Sequence, residues 1–265
     1  MDFQDIRYDV SKGIATLTLN KPEKLNALSW GSWAEIETAI KAADADDDVR
    51  VVVITGEGRG FCAGTDLTVQ TSEADWPARP YTGRAAQERS RYLATADVFH
   101  CRKPTIAAVN GVAAGAGFSL TMACDMRIAA ESARFGAVFV KRGIVADTGC
   151  TWFLPRLVGM EQALRLMFTG RIIGAREALD IGLVGEVVAD ADFRDRVAAF
   201  AAEIANGPTL AIELMKRLTY EGQTRDLDAQ IEMEQFLQQA THGTEDAAEG
   251  RRSFLEKREP VFKGR

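Results

Sequence analysis

The chain has 265 residues, 46% of them apolar and 26% charged, with a formal net charge of −6, an ordinary composition for a globular protein long enough to bury a sizeable core. The acidic balance argues against nucleic acid as a partner, and no apolar run approaches the roughly 20 residues that span a bilayer, so no membrane segment is expected. Cys62, Cys101, Cys124 and Cys150 are far apart, without metal-ligand spacing, and the N-terminus lacks a basic-then-apolar leader, which reads as reduced thiols in a cytoplasmic protein with no metal site.

Ala15, Leu17 and Leu19 alternate with Thr16 and Thr18, the period of a half-buried strand that Asn20-Lys21-Pro22 ends. Ser29 suits a helix N-cap, and Trp33, Ile36 and Ile40 share one helical face up to the acidic run 44–48. Val51-Val52-Val53-Ile54-Thr55 reads as a buried strand leading through a glycine turn into Phe61-Cys62-Ala63-Gly64-Thr65-Asp66-Leu67. From 68 to 83 no period is visible, so a functional loop is expected there, followed by a helix over 84–101 that Lys103-Pro104 stops. The run 105–109 predicts a second buried strand that turns through Asn110-Gly111-Val112-Ala113-Ala114-Gly115-Ala116-Gly117 into a helix with Leu120 and Met122. Met126, Ile128 and Ala130 suggest a further strand and 133–136 another, so strand–strand–helix units recur. Beyond Phe153 the chain is mostly helical, with helices expected around Leu164, Met167 and Phe168 and over 175–181, 193–205, 209–220, 226–241 and 244–258. No linker rich in Pro, Gly or Ser divides it. One continuous α/β fold is expected, with its ββα core over 1–200 and a helical region over 201–265.

Each of the two glycine turns follows a buried strand. The second opens a helix, where backbone N–H groups lack intrahelical partners and the helix dipole favours negative charge. With no side chain at Gly115 and Gly117, a ligand oxygen has room to approach the main chain. The two turns can therefore aim one N–H each at a developing oxyanion, although ordinary structural turns would read the same way locally.

These motifs, with Leu25-Asn26-Ala27-Leu28 before them and Glu249 to Arg258 after them, resemble the signature of the crotonase superfamily, the enoyl-CoA hydratases and isomerases, over nearly the whole chain. The resemblance implies a spiral of ββα turns closed by a C-terminal helical trimerisation region, hence a homotrimer or a dimer of trimers. It implies an acyl-CoA thioester substrate with no separate cofactor, and a loop over 68–83 that covers the acyl end. It assigns the two oxyanion N–H groups to Thr65 and Ala116. It lines the coenzyme path with Lys24, Leu25, Ala27, Ala63, Asp66, Leu67 and Thr68, and brings Phe254 and Lys257 from a neighbouring subunit, although both lysines also fit plain surface charge.

The two glutamates of the hydratases fall on Ser119 and Phe139, so two-glutamate hydration is not expected. Gly143-Ile144-Val145-Ala146-Asp147-Thr148-Gly149-Cys150 instead resembles the phenylacetate-pathway isomerases, in which the aspartate matching Asp147 is the acid/base. From the residues alone Asp147 also fits a helix cap. The expected activity is isomerisation of a double bond or ring epoxide through an enolate, with Asp147 as proton shuttle. The alternatives are a hydratase using Asp147 and a second group, or a non-catalytic acyl-CoA- or RNA-binding relative. Tyr92 occupies the region in which related dehalogenases carry a histidine, His100 and His242 read as structural or surface residues, and Cys150 as a packed thiol.

Overall fold

The computed structural model describes residues 2–68 and 94–265. The expected loop over 68–83, apart from Thr68, and Tyr92 lie outside the described residues.

Strands β1 (Ile6–Ser11) and β2 (Ile14–Leu19) form an antiparallel hairpin whose two-residue turn places Lys12 and Gly13 at φ 52° and 77°, the conformation that matches strand twist. Helix α1 (Trp30–Ala45) starts where Ser29 and Ser32 form a reciprocal cap, and it buries Trp33, Ile36 and Ile40 as the period predicts. Then β3 (Val51–Gly56), β4 (Gly60–Cys62) and α2 (Ala94–His100) follow. The next unit is β5 (Thr105–Val109), β6 (Val112–Ala114) and α3 (Ala116–Ala123). The third is β7 (Met126–Ala130), β8 (Arg134–Gly136), a 3-10 turn over Val138–Arg142 and α4 (Cys150–Val158). The direct passage from strand to helix expected after Val109 is thus interrupted by β6, a three-residue strand too short for its period to show.

Each unit sends one strand to each of two sheets. The larger has the order β1-β2-β3-β5-β7-β10, with β10 over Glu186–Val188, parallel from β2 onward, and the smaller β4-β6-β8-β9, with β9 over Ile172–Gly174 antiparallel to β8. This is the mixed α/β spiral that the sequence predicts. Helix α5 (Met160–Thr169), β9 (Ile172–Gly174), α6 (Ala175–Asp180) and β10 (Glu186–Val188) complete the sheets.

The unbroken apolar runs in β3 and β5 have a plain cause, since both faces of the large sheet are covered. Val52, Ile54, Ala107 and Val109 point into the main core with Phe61, Phe118 and Phe135, whereas Val51, Val53, Ile106 and Ala108 pack under α7 (Phe193–Ala205). Residue 200 falls inside α7, whose burial on the sheet continues to Ala205. Helices α8 (Thr209–Gly222), α9 (Leu227–His242) and α10 (Glu245–Glu256) end the chain, α9 and α10 each started by a side-chain cap, Asp226 and Thr244.

Candidate active site

The first turn is shaped by residues 21–28. Leu25 and Asn26 both hold left-handed φ values, 50° and 56°, a conformation that Asn tolerates far better than Leu. The buried Asn26 side chain secures it, donating to the carbonyls of Gly60 (2.7 Å) and Glu57 (3.0 Å) and accepting from Lys21 N (2.9 Å). The segment then zips onto the turn: Ala63 N donates to Leu25 O (2.9 Å), Leu28 N to Gly64 O (2.8 Å) and Asp66 N to Leu28 O (2.9 Å). Because Leu28 bonds the residues on either side of Thr65, the Thr65 N–H faces away from Leu28.

The opposite side belongs to the second turn. A Cβ on Gly64 (φ 102°) would stand 2.9 Å from Ala114 O and 3.6 Å from Ala116 N, so the two turns touch. Gly115 N donates to Gly136 O (2.9 Å), and α3 begins at Ala116 with no capping side chain. Among the described residues neither Thr65 N nor Ala116 N has a hydrogen-bond partner. Two amides without partners thus sit on segments that are in contact.

Gly117 serves a different end from the one expected. A Cβ there would come 2.3 Å from Cys62 O and 2.6 Å from Cys62 Sγ, so its bare Cα seats α3 on β4 rather than making room for a ligand. Ala63 and Ala114, each two residues before one of the amides, line a cleft of about 480 Å³ with Val138, Lys141, Arg142 and Ile172.

Asp147 lies on the turn before α4. Gly149, not Asp147, is the N-cap residue, and no side chain caps this helix, so the cap reading of Asp147 is overturned. The reason is backbone geometry: Thr148 and Gly149 take φ 51° and 85°, which sets Asp147 apart from the helix start. Its carboxyl is accessible to solvent, yet enough protein surrounds it that burial raises its pKa above the ordinary value, against a weaker opposing bond from the Thr148 hydroxyl (3.3 Å). Of the two positions matched to hydratase glutamates, Phe139 is buried in the main core. Ser119 is fully buried in α3.

Of the expected coenzyme residues, Lys24 is held by Asp66 (Nζ to Oδ2 2.8 Å), and Asp66 also accepts from Thr68 N (3.0 Å) and the Thr68 hydroxyl (2.6 Å). Lys24 first, then Thr68, hold the Asp66 carboxyl down at about 2. Ala27 N donates to Lys24 O, and Leu67 is exposed beside them, so Lys24, Leu25, Ala27, Ala63, Asp66, Leu67 and Thr68 gather around the first turn. Phe254 stands exposed in the last turn of α10 and Lys257 closes that helix at φ 53°; neither shares a described hydrogen bond or cavity with this group. His100 ends α2 with its ring against Phe99, and His242 ends α9. All four cysteines are free and buried, their thiols pushed up to about 12 by burial.

Asn26 has a structural role that the sequence reading missed. The available signal was an Asn flanked by Leu before a glycine-bearing turn, a residue suited to the left-handed region.

Two mostly parallel sheets wound through ββα units, with two unpartnered amides where two strand-to-turn segments meet, define the class. The chain matches the family model "Enoyl-CoA hydratase/isomerase" over residues 9–265 and belongs to that family, the crotonase superfamily. It is 39% identical over 265 residues to a Rhodobacter capsulatus protein described as "Probable enoyl-CoA hydratase", covering all of both chains. It is 38% identical over 256 residues to 1,2-epoxyphenylacetyl-CoA isomerase of Escherichia coli, covering 97% of each. A solved enoyl-CoA hydratase from Bacillus anthracis superposes with a TM-score of 0.90 at 33% identity, covering 99% of this chain and 100% of that one.

Proposed function

We propose that the chain isomerises an acyl-CoA thioester, moving a 3,4 double bond into conjugation with the thioester carbonyl. The thioester oxygen accepts the N–H groups of Thr65 and Ala116. Ionised Asp147 removes a proton from the α carbon, the carbonyl oxygen takes up negative charge as the dienolate forms, and protonated Asp147 returns the proton to the γ carbon. No water is consumed and coenzyme A is only the substrate's handle, so no separate cofactor enters. Losing one such N–H donor typically costs about 3 to 4 kcal/mol of barrier, so two of them supply a large part of the rate.

The observation that carries this reading is the carboxylate inventory. Ser119 and Phe139 match the positions at which two-glutamate hydratases carry their acid/base pair, while Asp147 is accessible with a pKa raised by burial. The identity to 1,2-epoxyphenylacetyl-CoA isomerase supports the same parts acting on a ring epoxide. Exposed apolar side chains on the C-terminal helices, among them Met215, Leu227, Phe236, Phe254 and Leu255, support a trimeric assembly, which light scattering would read directly.

The test gives the purified protein a 3-enoyl-CoA and a 2-enoyl-CoA in parallel and follows the conjugated thioester. Appearance of conjugation from the 3-enoyl substrate, lowered roughly 10²–10⁴-fold in Asp147→Asn with CoA binding retained, is the expected result. Loss of conjugation from the 2-enoyl substrate alone would make the protein a hydratase.

A further inference from the structure

Ser119 sits one helical turn into α3 and is fully buried. Its Oγ lies 3.4 Å from Gly115 O and 3.3 Å from Asp147 O, and it also interacts with the Cys150 thiol. The first contact is local, one turn back along the helix, as serine hydroxyls commonly make. The second joins residues 28 positions apart.

The two carbonyls are informative because of the peptides they belong to. Gly115 C=O and Ala116 N–H are the two ends of one rigid peptide plane, so whatever holds that oxygen also aims that N–H. A hydrogen bond accepted at the oxygen further polarises the plane and strengthens its N–H as a donor. The Asp147 carbonyl, for its part, opens the turn that carries the carboxylate. That turn has left-handed Thr148, a β-branched residue in a region it avoids, and is otherwise tied by Cys150 N to Asp147 O (3.0 Å).

We propose that Ser119 is a positioning residue: its single O–H, shared between the Gly115 and Asp147 carbonyls, ties the peptide that presents the Ala116 N–H, whose oxygen the Ser119 N–H also holds (3.1 Å), to the turn that presents Asp147, keeping oxyanion donor and proton shuttle in register. The proposal rests on the isomerase reading above for its kinetic consequence, and on the two carbonyl contacts for the tie itself.

Ser119→Ala removes the hydroxyl and nothing else. On a 3-enoyl-CoA we expect kcat to fall roughly 10–100-fold with KM nearly unchanged, the acid limb of the kcat profile to move, and the melting temperature to hold. In parallel, amide hydrogen exchange over residues 147–150 should quicken relative to the rest of the chain. Unchanged kcat with unchanged exchange would overturn the proposal, as would a lower melting temperature with kcat and KM altered together, the mark of general loosening. If the wild-type protein converts no 3-enoyl thioester, the isomerase reading falls, and the exchange measurement still decides the tie: faster exchange at 147–150 upholds it and unchanged exchange removes it.

Discussion

Asp147 carries two opposing pH effects that a single residue can be made to reveal. As the base of the proposed isomerisation it works ionised, so activity is lost as pH falls through its folded pKa, and because burial raises that pKa above 3.8 the acid limb of kcat/KM should lie higher than an ordinary aspartate would put it. Stability runs the other way. A carboxyl whose folded pKa is raised binds its proton more tightly in the fold, so its contribution is fully present below the unfolded value and is lost as pH rises through the folded one. Asp147→Asn should therefore melt higher than wild type at neutral pH and no higher near pH 3, while being slow as an enzyme. Thermal melts of the two proteins across pH check this; a lower neutral melting temperature in the variant would mean that the Thr148 contact outweighs burial.

At the scale of an element, α3 is held against β4 at a separation that only a glycine permits. In Gly117→Ala the new Cβ meets the Cys62 carbonyl, which is backbone and cannot swing aside, so the helix must lift. Overpacking of this kind typically costs about 1–3 kcal/mol, and if the Ala116 N–H is the oxyanion donor proposed above, moving it should lower turnover on the order of 10²-fold. Adding Cys62→Ala removes the sulfur clash but leaves the carbonyl and the Cβ of residue 62, so the double variant should not recover; full recovery would show that Sγ alone required the glycine. Helix α10 is anchored differently. Glu249 accepts from Arg258 Nη2 (3.0 Å) and Val261 N (3.1 Å), and Asp246 from the amides of Lys263 and Gly264, which fold the tail back over the helix. Arg258 above all holds the Glu249 carboxyl at about 2 instead of 4.5, so this stabilisation is present above pH 4.5 and lost as pH falls toward 2. Glu249→Gln should leave the tail open to trypsin after Arg258 at neutral pH, a faster cleavage visible by mass spectrometry.

At the scale of the molecule, α8 is joined to the end of the large sheet remote from the two amides through a largely buried polar cluster whose Asp125, Lys216 and Tyr220 are partly exposed. Asp125 accepts from Thr105 N (2.7 Å), the Thr105 hydroxyl (3.0 Å), Lys216 Nζ (2.7 Å) and Tyr220 OH (2.9 Å), and Lys103 pairs with Glu213 (2.8 Å). Burial, then Asp125, push the Tyr220 phenol up. Removing one partner of such a cluster leaves the others desolvated and unpaired, so Asp125→Ala should cost about 3–5 kcal/mol in urea unfolding. A cost below about 1 kcal/mol, the range of exposed pairs, would show that water satisfies the cluster.

What could be read locally was determined by the chain itself. Ser29, Asp226 and Thr244 start helices because their side chains satisfy free N–H groups within three residues, and the buried strands 51–55 and 105–109 show because both their faces are apolar. The family resemblance, and with it Thr65, Ala116 and Asp147 as candidates, rests on motifs contiguous in sequence. Tertiary structure alone decided the rest. The three-residue strands β6 and β9 exist only through pairing with strands distant in the chain. The outward aim of the Thr65 N–H is set by Leu28, 37 positions earlier, and the contact between Ser119 and Asp147 by the packing of α3 against the segment before α4. A residue's type constrains its own dihedrals and its neighbours within a turn; which peptide plane faces which is fixed by non-local hydrogen bonds, and those appear only once the sheets and helices have come together.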